Sequence, residues 1–101
     1  MIERYDLIVK LTEEALMDLI ARARGSCVTF KAKTLAKRAG LSTKPITLTL
    51  ITHYLSELEA KGLVSVWKRG SHGTKYIVTR ESPLWQEAKR LAEEITLKVR
   101  G

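Results

Sequence analysis

The sequence has little of several residue types that would define a function class by themselves. Cys27 is the single cysteine among 101 residues, which excludes an intrachain disulfide and predicts a reducing cytoplasm. Cys27, His53 and His72 lack paired spacing, and a structural zinc site usually needs four ligands, so no metal and no cofactor is expected. The middle of the chain is poor in carboxylates to serve as general base or orienting acid, and no glycine-rich nucleotide loop is present. No catalytic residues are therefore predicted, and the protein is not expected to be an enzyme.

Long apolar runs are missing as well. No stretch approaches the roughly 18 apolar residues of a membrane span, and no basic start followed by an apolar signal segment is present. A chain of 101 residues has little core to spare for an internal ligand cavity. These absences predict a soluble cytoplasmic protein without a small-molecule ligand.

Acidic residues are unevenly distributed, and this asymmetry is the most informative bulk property. The formal net charge is +7, yet residues 1–18 sum to −3 and residues 81–101 are neutral, which leaves +10 on residues 19–80. A concentrated positive potential attracts phosphates, and counterions released from a nucleic acid favour the complex. The alternative is a solvated surface that only confers solubility. The positions of the charges favour a polyanion partner.

Residues 1–24 contain a helical pattern with an ambiguous start. Apolar residues predict a helix from Thr12 to Arg24, with Thr12 as N-cap and Gly25 as the stop. The spacing also fits a helix that begins at Asp6, whereas the apolar run at residues 7–9 fits an extended lead-in. The first helix is expected to serve packing.

A short strand and a second helix follow. Residues 27–30, CVTF, are β-branched and aromatic and predict a strand, in which Cys27 is expected to be a small core residue. Residues 31–40 predict a helix with an apolar inner side and a basic outer side formed by Lys33, Lys37 and Arg38.

Residues 43–61 predict the amphipathic helix around which the chain is organised. Its apolar positions recur at steps of three and four, Pro45 is tolerated near its start, and Gly62 suits a terminating left-handed turn. Ser42 or Thr43 can accept hydrogen bonds from its first amides. One side of this helix thus belongs to the core, at Leu48, Ile51, Leu55 and Leu58, and the other is free.

Two alternating segments, residues 63–68 and 74–79, flank the loop RGSHG and predict a β-hairpin with a basic tip. Gly70 and Gly73 suit a loop that needs positive φ.

Ser82 as N-cap and Pro83 as the first helical residue predict a last helix. Its apolar residues space like a seam of two to three heptads. Either the helix packs on its own domain, or it pairs with a second copy. The homodimer is preferred here, with a winged domain at residues 1–80, a dimerisation helix at residues 81–101 and an interface at Leu84, Trp85, Ala88, Leu91, Ala92, Ile95 and Val99.

The predicted elements follow the order helix, strand, helix, turn, helix and hairpin, and this order resembles that of a known family. The phrases LAKRAGLS and YLSELEAKGLV, followed by a basic glycine-containing hairpin, resemble the winged helix-turn-helix family, in particular small archaeal and bacterial regulators. The resemblance spans residues 12–79 and implies an α+β, mainly α fold: a three-helix core, a short hairpin wing and an extra C-terminal helix. It also implies that residues 43–61 enter the major groove of double-stranded DNA and that the wing, residues 68–75, reaches backbone or minor groove.

The sequence departs from the family pattern in one place. Fourteen residues lie between Gly40 and Leu55, more than is usual, so either the turn is longer or the recognition helix has an extra turn. Ile46 and Leu50 fall outside the main apolar stripe. They are expected to pack against the second helix; the alternative is exposure to a thymine methyl group or another protein.

The DNA contacts are predicted from side-chain chemistry and from the positions that the resemblance implies. The start of the long helix favours a phosphate, and its short polar groups can touch base edges or backbone oxygens, but none is the Arg, Asn or Gln that reads a base bidentately. Arg69 is the long guanidinium at the wing tip and suits a minor groove. The predicted DNA-binding residues are Lys33, Lys37, Ser42, Thr43, Lys44, Thr47, Thr49, Thr52, His53, Lys68, Arg69, His72 and Lys75.

The sequence therefore predicts a DNA-binding transcriptional regulator or a less selective, nucleoid-associated protein. A rival interpretation is a protein-interaction adaptor in a replication or transcription assembly, with Ile46 and Leu50 at the partner surface. RNA binding is disfavoured, because Phe30, Trp67 and Tyr76 do not form an evident exposed stacking platform.

Overall fold

The computed structural model describes the backbone of residues 2–71 and 73–100, and the side chains of residues 5–71 and 73–94. The described chain is α+β and mainly helical, with four helices and one three-stranded antiparallel sheet. The elements are α1 (Ile2–Arg22), β1 (Cys27–Lys31), α2 (Ala32–Ala39), α3 (Pro45–Ala60), β2 (Ser65–Gly70), β3 (Gly73–Thr79) and α4 (Pro83–Arg100).

Helix α1 begins ten residues before the predicted start at Thr12. The prediction of an N-cap at Thr12 is wrong, because this residue lies fully buried in the middle of the helix. The apolar stripe runs through Thr12, from Ile8 to Ala15, Leu16 and Ile20, so the helix is continuous. The helix ends at Arg22, before Gly25, which does not adopt positive φ.

The turn between α2 and α3 is built on a left-handed glycine. Gly40 has φ 75° and caps α2, and the Leu41 amide donates to the carbonyl of Ala36 over 2.8 Å. Helix α3 begins at Pro45, and Ser42 Oγ accepts from the Lys44 amide, just outside the helix. Ten residues of α3 precede Leu55, so the additional residues lengthen the start of the helix.

The sheet has the order β1-β3-β2, with both neighbours antiparallel. Its inner face carries Phe30, Tyr76 and Val78, which are buried against the helices, and the rings of Phe30 and Tyr76 are stacked with centroids 5.9 Å apart. The first half of the hairpin begins two residues later than the predicted segment at residue 63. Gly73 has positive φ, whereas Gly70 does not.

Helix α4 begins at Pro83, as predicted, and packs along α1. Ser82 Oγ accepts from the Leu84 amide and donates to the carbonyl of Leu63 over 2.7 Å, which fixes the entry to the helix. Trp85 and Ala88 belong to the same core as α1 and the sheet, with exposed fractions of 7% and 2%. The first half of α4 is therefore part of the folded core of its own chain.

Candidate nucleic-acid interface

A groove brings together three elements that are far apart in the sequence. Its walls come from the start of α2, the middle of α3 and the start of strand β3. The groove has a volume of about 480 Å³. Lys33 from α2, Thr52 from α3 and Thr74 from β3 all line it. Antiparallel pairing of the hairpin against β1 forms the groove, because it holds β3 beside the start of α2.

The predicted cations of α2, of the turn before α3 and of the hairpin are accessible. Lys33, Lys37, Lys44, Lys68 and Arg69 are exposed and Lys75 is half-buried. Within the part of the chain that the structure describes, none of the six forms an ion pair, whereas their neighbour Arg38 lies 3.2 Å from Asp18. Six positive charges without carboxylate partners leave a surface suited to a polyanion.

The side chains on the free side of α3 are short and polar. Thr49, Thr52 and Ser56 are exposed on it, as are Ser42 and Thr43 ahead of the helix, whereas Thr47 is half-buried toward the core stripe. The hydroxyl of Thr49 donates to the carbonyl of Pro45 over 2.8 Å. Small side chains allow the helix backbone to approach a partner closely, and they provide little base discrimination.

His53 lies on the side of α3 that faces α1. Its Nε2 is 3.6 Å from Glu57 Oε1, and its ring centroid is 6.1 Å from that of Tyr5. Tyr5 in turn donates to Glu57 over 3.1 Å, so burial and this acceptor raise the pKa of the Tyr5 phenol. The His53 side chain is mostly exposed, but it lies beside Tyr5 and Glu57, whereas Thr52 lines the groove.

The hairpin joins the groove through Tyr76. Burial raises the pKa of this phenol, and the negative charge of Glu59 acts in the same direction, while the positive charge of Arg69 opposes both. Tyr76 is therefore a neutral hydrogen-bonding group in the groove wall at physiological pH. His72, predicted to contact DNA from the hairpin tip, lies outside the described residues.

The predicted dimer residues divide into three groups. Trp85 and Ala88 are buried in their own chain, and Leu84 is half-buried against the same core. Leu91, 37% exposed, and Ala92 line an open groove between α1 and α4, beside Met17 and the carboxylates of Glu13, Glu14 and Asp18. The side chains of Ile95 and Val99 lie outside the described residues.

Two sequence expectations about single residues are corrected. Cys27 is exposed and not part of the core, because odd positions of β1 point away from the buried Phe30. Ile46 is 73% exposed and does not pack against α2. Trp67 is 59% exposed, whereas Phe30 and Tyr76 are buried. Trp67 lies at a register irregularity between β2 and β3, where the regular alternation of inward and outward side chains is interrupted. No sequence pattern predicts this irregularity.

None of the helices traced in residues 2–71 and 73–100 is both long and apolar enough to cross a membrane. Comparison with known proteins gave no match to any protein-family model and no curated relative of significant similarity.

Proposed function

We propose that the protein is a winged-helix DNA-binding protein that holds double-stranded DNA against α2, α3 and the β2–β3 hairpin. The observation that carries this proposal is the groove whose walls come from these three elements. Lys31 and Lys33 line it, and the exposed Thr52 of α3 lies in its wall.

The charge distribution supports a phosphate-binding surface on this side. Lys33 and Lys37 project from α2, Lys44 precedes α3, and Lys68 and Arg69 belong to the hairpin. Carboxylates concentrate elsewhere, along the groove between α1 and α4. A molecule with one cationic side and one acidic side is steered toward a duplex in a single orientation.

The side chains on α3 favour weak sequence discrimination. Its exposed groups are hydroxyls, and Glu57 and Glu59 near its end repel phosphates, so the start of the helix and the hairpin carry most of the contact. A nucleoid-associated role or a regulator with a loosely defined site fits this chemistry better than a regulator with a strict operator.

The experiment is titration of labelled duplex DNA by fluorescence anisotropy over a range of salt concentrations. The logarithm of affinity is expected to fall linearly with the logarithm of salt, with a slope of roughly −0.9 for each phosphate neutralised. The double substitution Lys33→Ala, Lys37→Ala removes two charges beside the groove. It is expected to reduce the steepness of that slope by roughly two.

A matched control removes the same charge elsewhere, by Lys10→Ala with Arg24→Ala, two exposed residues away from the groove. The control is expected to leave the slope nearly unchanged. Equal losses from the two double variants would disprove the assigned surface, and absence of binding at low salt would disprove the function.

The proposal includes a homodimer, with fewer interface residues than the sequence predicted. Trp85 and Ala88 are committed to the core, so pairing would use Leu91 and the groove beside it. Leu91→Lys is expected to give a monomer by sedimentation if α4 pairs, and an unchanged mass for a dimeric wild type would refute this interface.

Exposure of Ile46 favours one second candidate, a protein-interaction adaptor. An isoleucine that is 73% exposed at the start of α3 is suited to a partner's apolar surface. Ile46→Ser separates the two functions. Unchanged duplex affinity together with loss of a protein partner would favour the adaptor.

A further inference from the structure

The outer face of the sheet carries a row of three lysines. In the strand register, Lys31 of β1 is the direct partner of Lys75 of β3, and Lys75 is in turn the direct partner of Lys68 of β2. The preceding pair, Phe30 and Tyr76, is buried on the inner face, so strand alternation directs the lysines to the opposite side. We refer to Lys31, Lys75 and Lys68 as the lysine row.

The lysine row is unfavourable for folding by itself. Directly opposed side chains in an antiparallel sheet have Cβ atoms roughly 4.5–5.5 Å apart, and like charges at that distance destabilise the pair. Among the described residues no ion pair reaches any of the three ammonium groups. A cationic arrangement that weakens the sheet is most simply explained by an anionic partner that spans all three strands.

Trp67 stands at the edge of this row. Val66 pairs with Tyr76 and Lys68 with Lys75, so Trp67 is the extra residue of a β-bulge on the edge strand β2. Its side chain is 59% exposed, whereas Trp85 is 7% exposed. An exposed indole beside a row of cations combines the two features that hold a nucleic-acid strand: charge for its backbone and a flat apolar face for a base.

We infer that the outer face of the sheet binds single-stranded DNA, with the phosphates on the lysine row and a base stacked on Trp67. A duplex cannot satisfy this site, because its bases are stacked on one another and present only their edges. Tyr76 lines the groove from the inner face of the sheet, whereas Lys31 lies where the two surfaces meet, because it also lines the groove. The lysine row therefore adjoins the duplex surface at Lys31, and Trp67 is the residue of this site that the proposed duplex contact does not use.

The choice of DNA over RNA rests on the proposed function. Lys68 and Lys75 belong to the hairpin that is proposed to touch a duplex, and Lys31 directly precedes α2. The lysine row is therefore continuous with the duplex surface around the edge of the sheet. A strand that leaves a duplex at a junction could follow this path.

The experiment measures binding of a labelled oligothymidylate of about twelve nucleotides, which is within the usual site size for one small domain. Trp67→Ala is expected to weaken binding by about tenfold, because loss of one base stack corresponds to that factor. Trp67→Phe keeps an aromatic face and is expected to recover part of the affinity. Tryptophan fluorescence of the wild type is expected to be quenched on binding, and that of the Trp67→Phe variant much less.

The Lys33→Ala, Lys37→Ala variant is the matched control on α2. It is expected to weaken duplex binding and to leave oligothymidylate binding unchanged, while Trp67→Ala does the reverse. Duplex binding that depends on Lys33 and Lys37, with oligothymidylate affinity insensitive to Trp67, would overturn this inference and leave the proposed function intact. Loss of duplex binding alone would overturn only the proposed function.

Two further measurements test whether RNA or a protein binds this face instead. Tighter binding of oligouridylate than of oligothymidylate would overturn the assignment to DNA. A change in sedimentation mass on Trp67→Ala would place the indole in a protein interface and would overturn the site. Circular dichroism and urea unfolding of Trp67→Ala and Trp67→Phe separate loss of stacking from loss of fold, since recovery by phenylalanine at equal stability requires an aromatic contact.

Discussion

Replacement of Lys89 by methionine is expected to destabilise the protein by detaching α4 from the end of α1. Lys89 Nζ donates to the carbonyl oxygens of Ala23 over 2.7 Å and Ala21 over 3.1 Å, and lies 5.3 Å from the ring centroid of Trp85. These carbonyls belong to the last turn of α1 and the residue after it, where the helix dipole favours a cation.

The magnitude follows from the contacts. Each charge-assisted hydrogen bond contributes about 1.5 kcal/mol, and the cation–π contact adds about 0.5 kcal/mol at a partly exposed position. Ordering the long side chain opposes them by about 1.5 kcal/mol. The net loss for Lys89→Met is therefore about 2 kcal/mol, and methionine keeps an apolar stem over Trp85. In a domain of this size, such a loss lowers the melting temperature by about 10 °C.

The assay is urea unfolding followed by circular dichroism, with Arg90→Met as the matched control. Arg90 occupies the next position on α4 and pairs with Glu87 and Glu94 in solvent, so its removal is expected to leave the midpoint nearly unchanged. Equal shifts for the two variants, or a loss below about 0.5 kcal/mol for Lys89→Met, would refute the reasoning.

Three other outcomes are expected. Thr12→Val should raise stability by about 1 kcal/mol in thermal unfolding, because the Thr12 hydroxyl is buried without a partner among the described residues; a loss would contradict this. The contribution of Tyr54 to stability should be fully present below pH 10.0 and be lost as the pH rises above it, because burial and Glu13 raise the pKa of Tyr54 in the folded chain, so the unfolded chain ionises first; Tyr54→Phe should flatten the alkaline decline, and an unchanged alkaline slope would count against it. Gly40→Ala should cost about 1 kcal/mol, since φ is 75° there, while Gly25→Ala, in open space without positive φ, should be neutral; similar urea midpoints for the two would show that the turn tolerates a side chain.

Much of the secondary structure was accessible from local patterns. The apolar stripe at Ile51, Leu55 and Leu58 and the left-handed Gly62 define α3, and Pro83 defines the start of α4. The first helix was misjudged at its start because Thr12 is polar in sequence yet fully buried in the fold. Propensity cannot reveal that α1 continues through this position, since the neighbours that bury it come from other elements.

The candidate site was accessible only in part. Charge counting by segment located the basic middle of the chain, and the helical period separated the free side of α3 from its core side. Exposure of Ile46 and Trp67 was not accessible from local patterns, because cover for Ile46 depends on packing between distant elements and Trp67 lies at a register irregularity between β2 and β3. The same limit applies to Trp85, whose seam-like spacing fits pairing with either α1 or a second copy.

The sequence by itself determined the element types, the left-handed turn at Gly62, and the concentration of positive charge on residues 19–80. These are local or additive properties, fixed by backbone sterics and composition. Only the tertiary structure decided that Lys31, Lys75 and Lys68 stand side by side, with Trp67 exposed at their edge. Strand order and register depend on pairing between residues distant in the chain, and a one-residue shift in register would have sent each lysine to the other face.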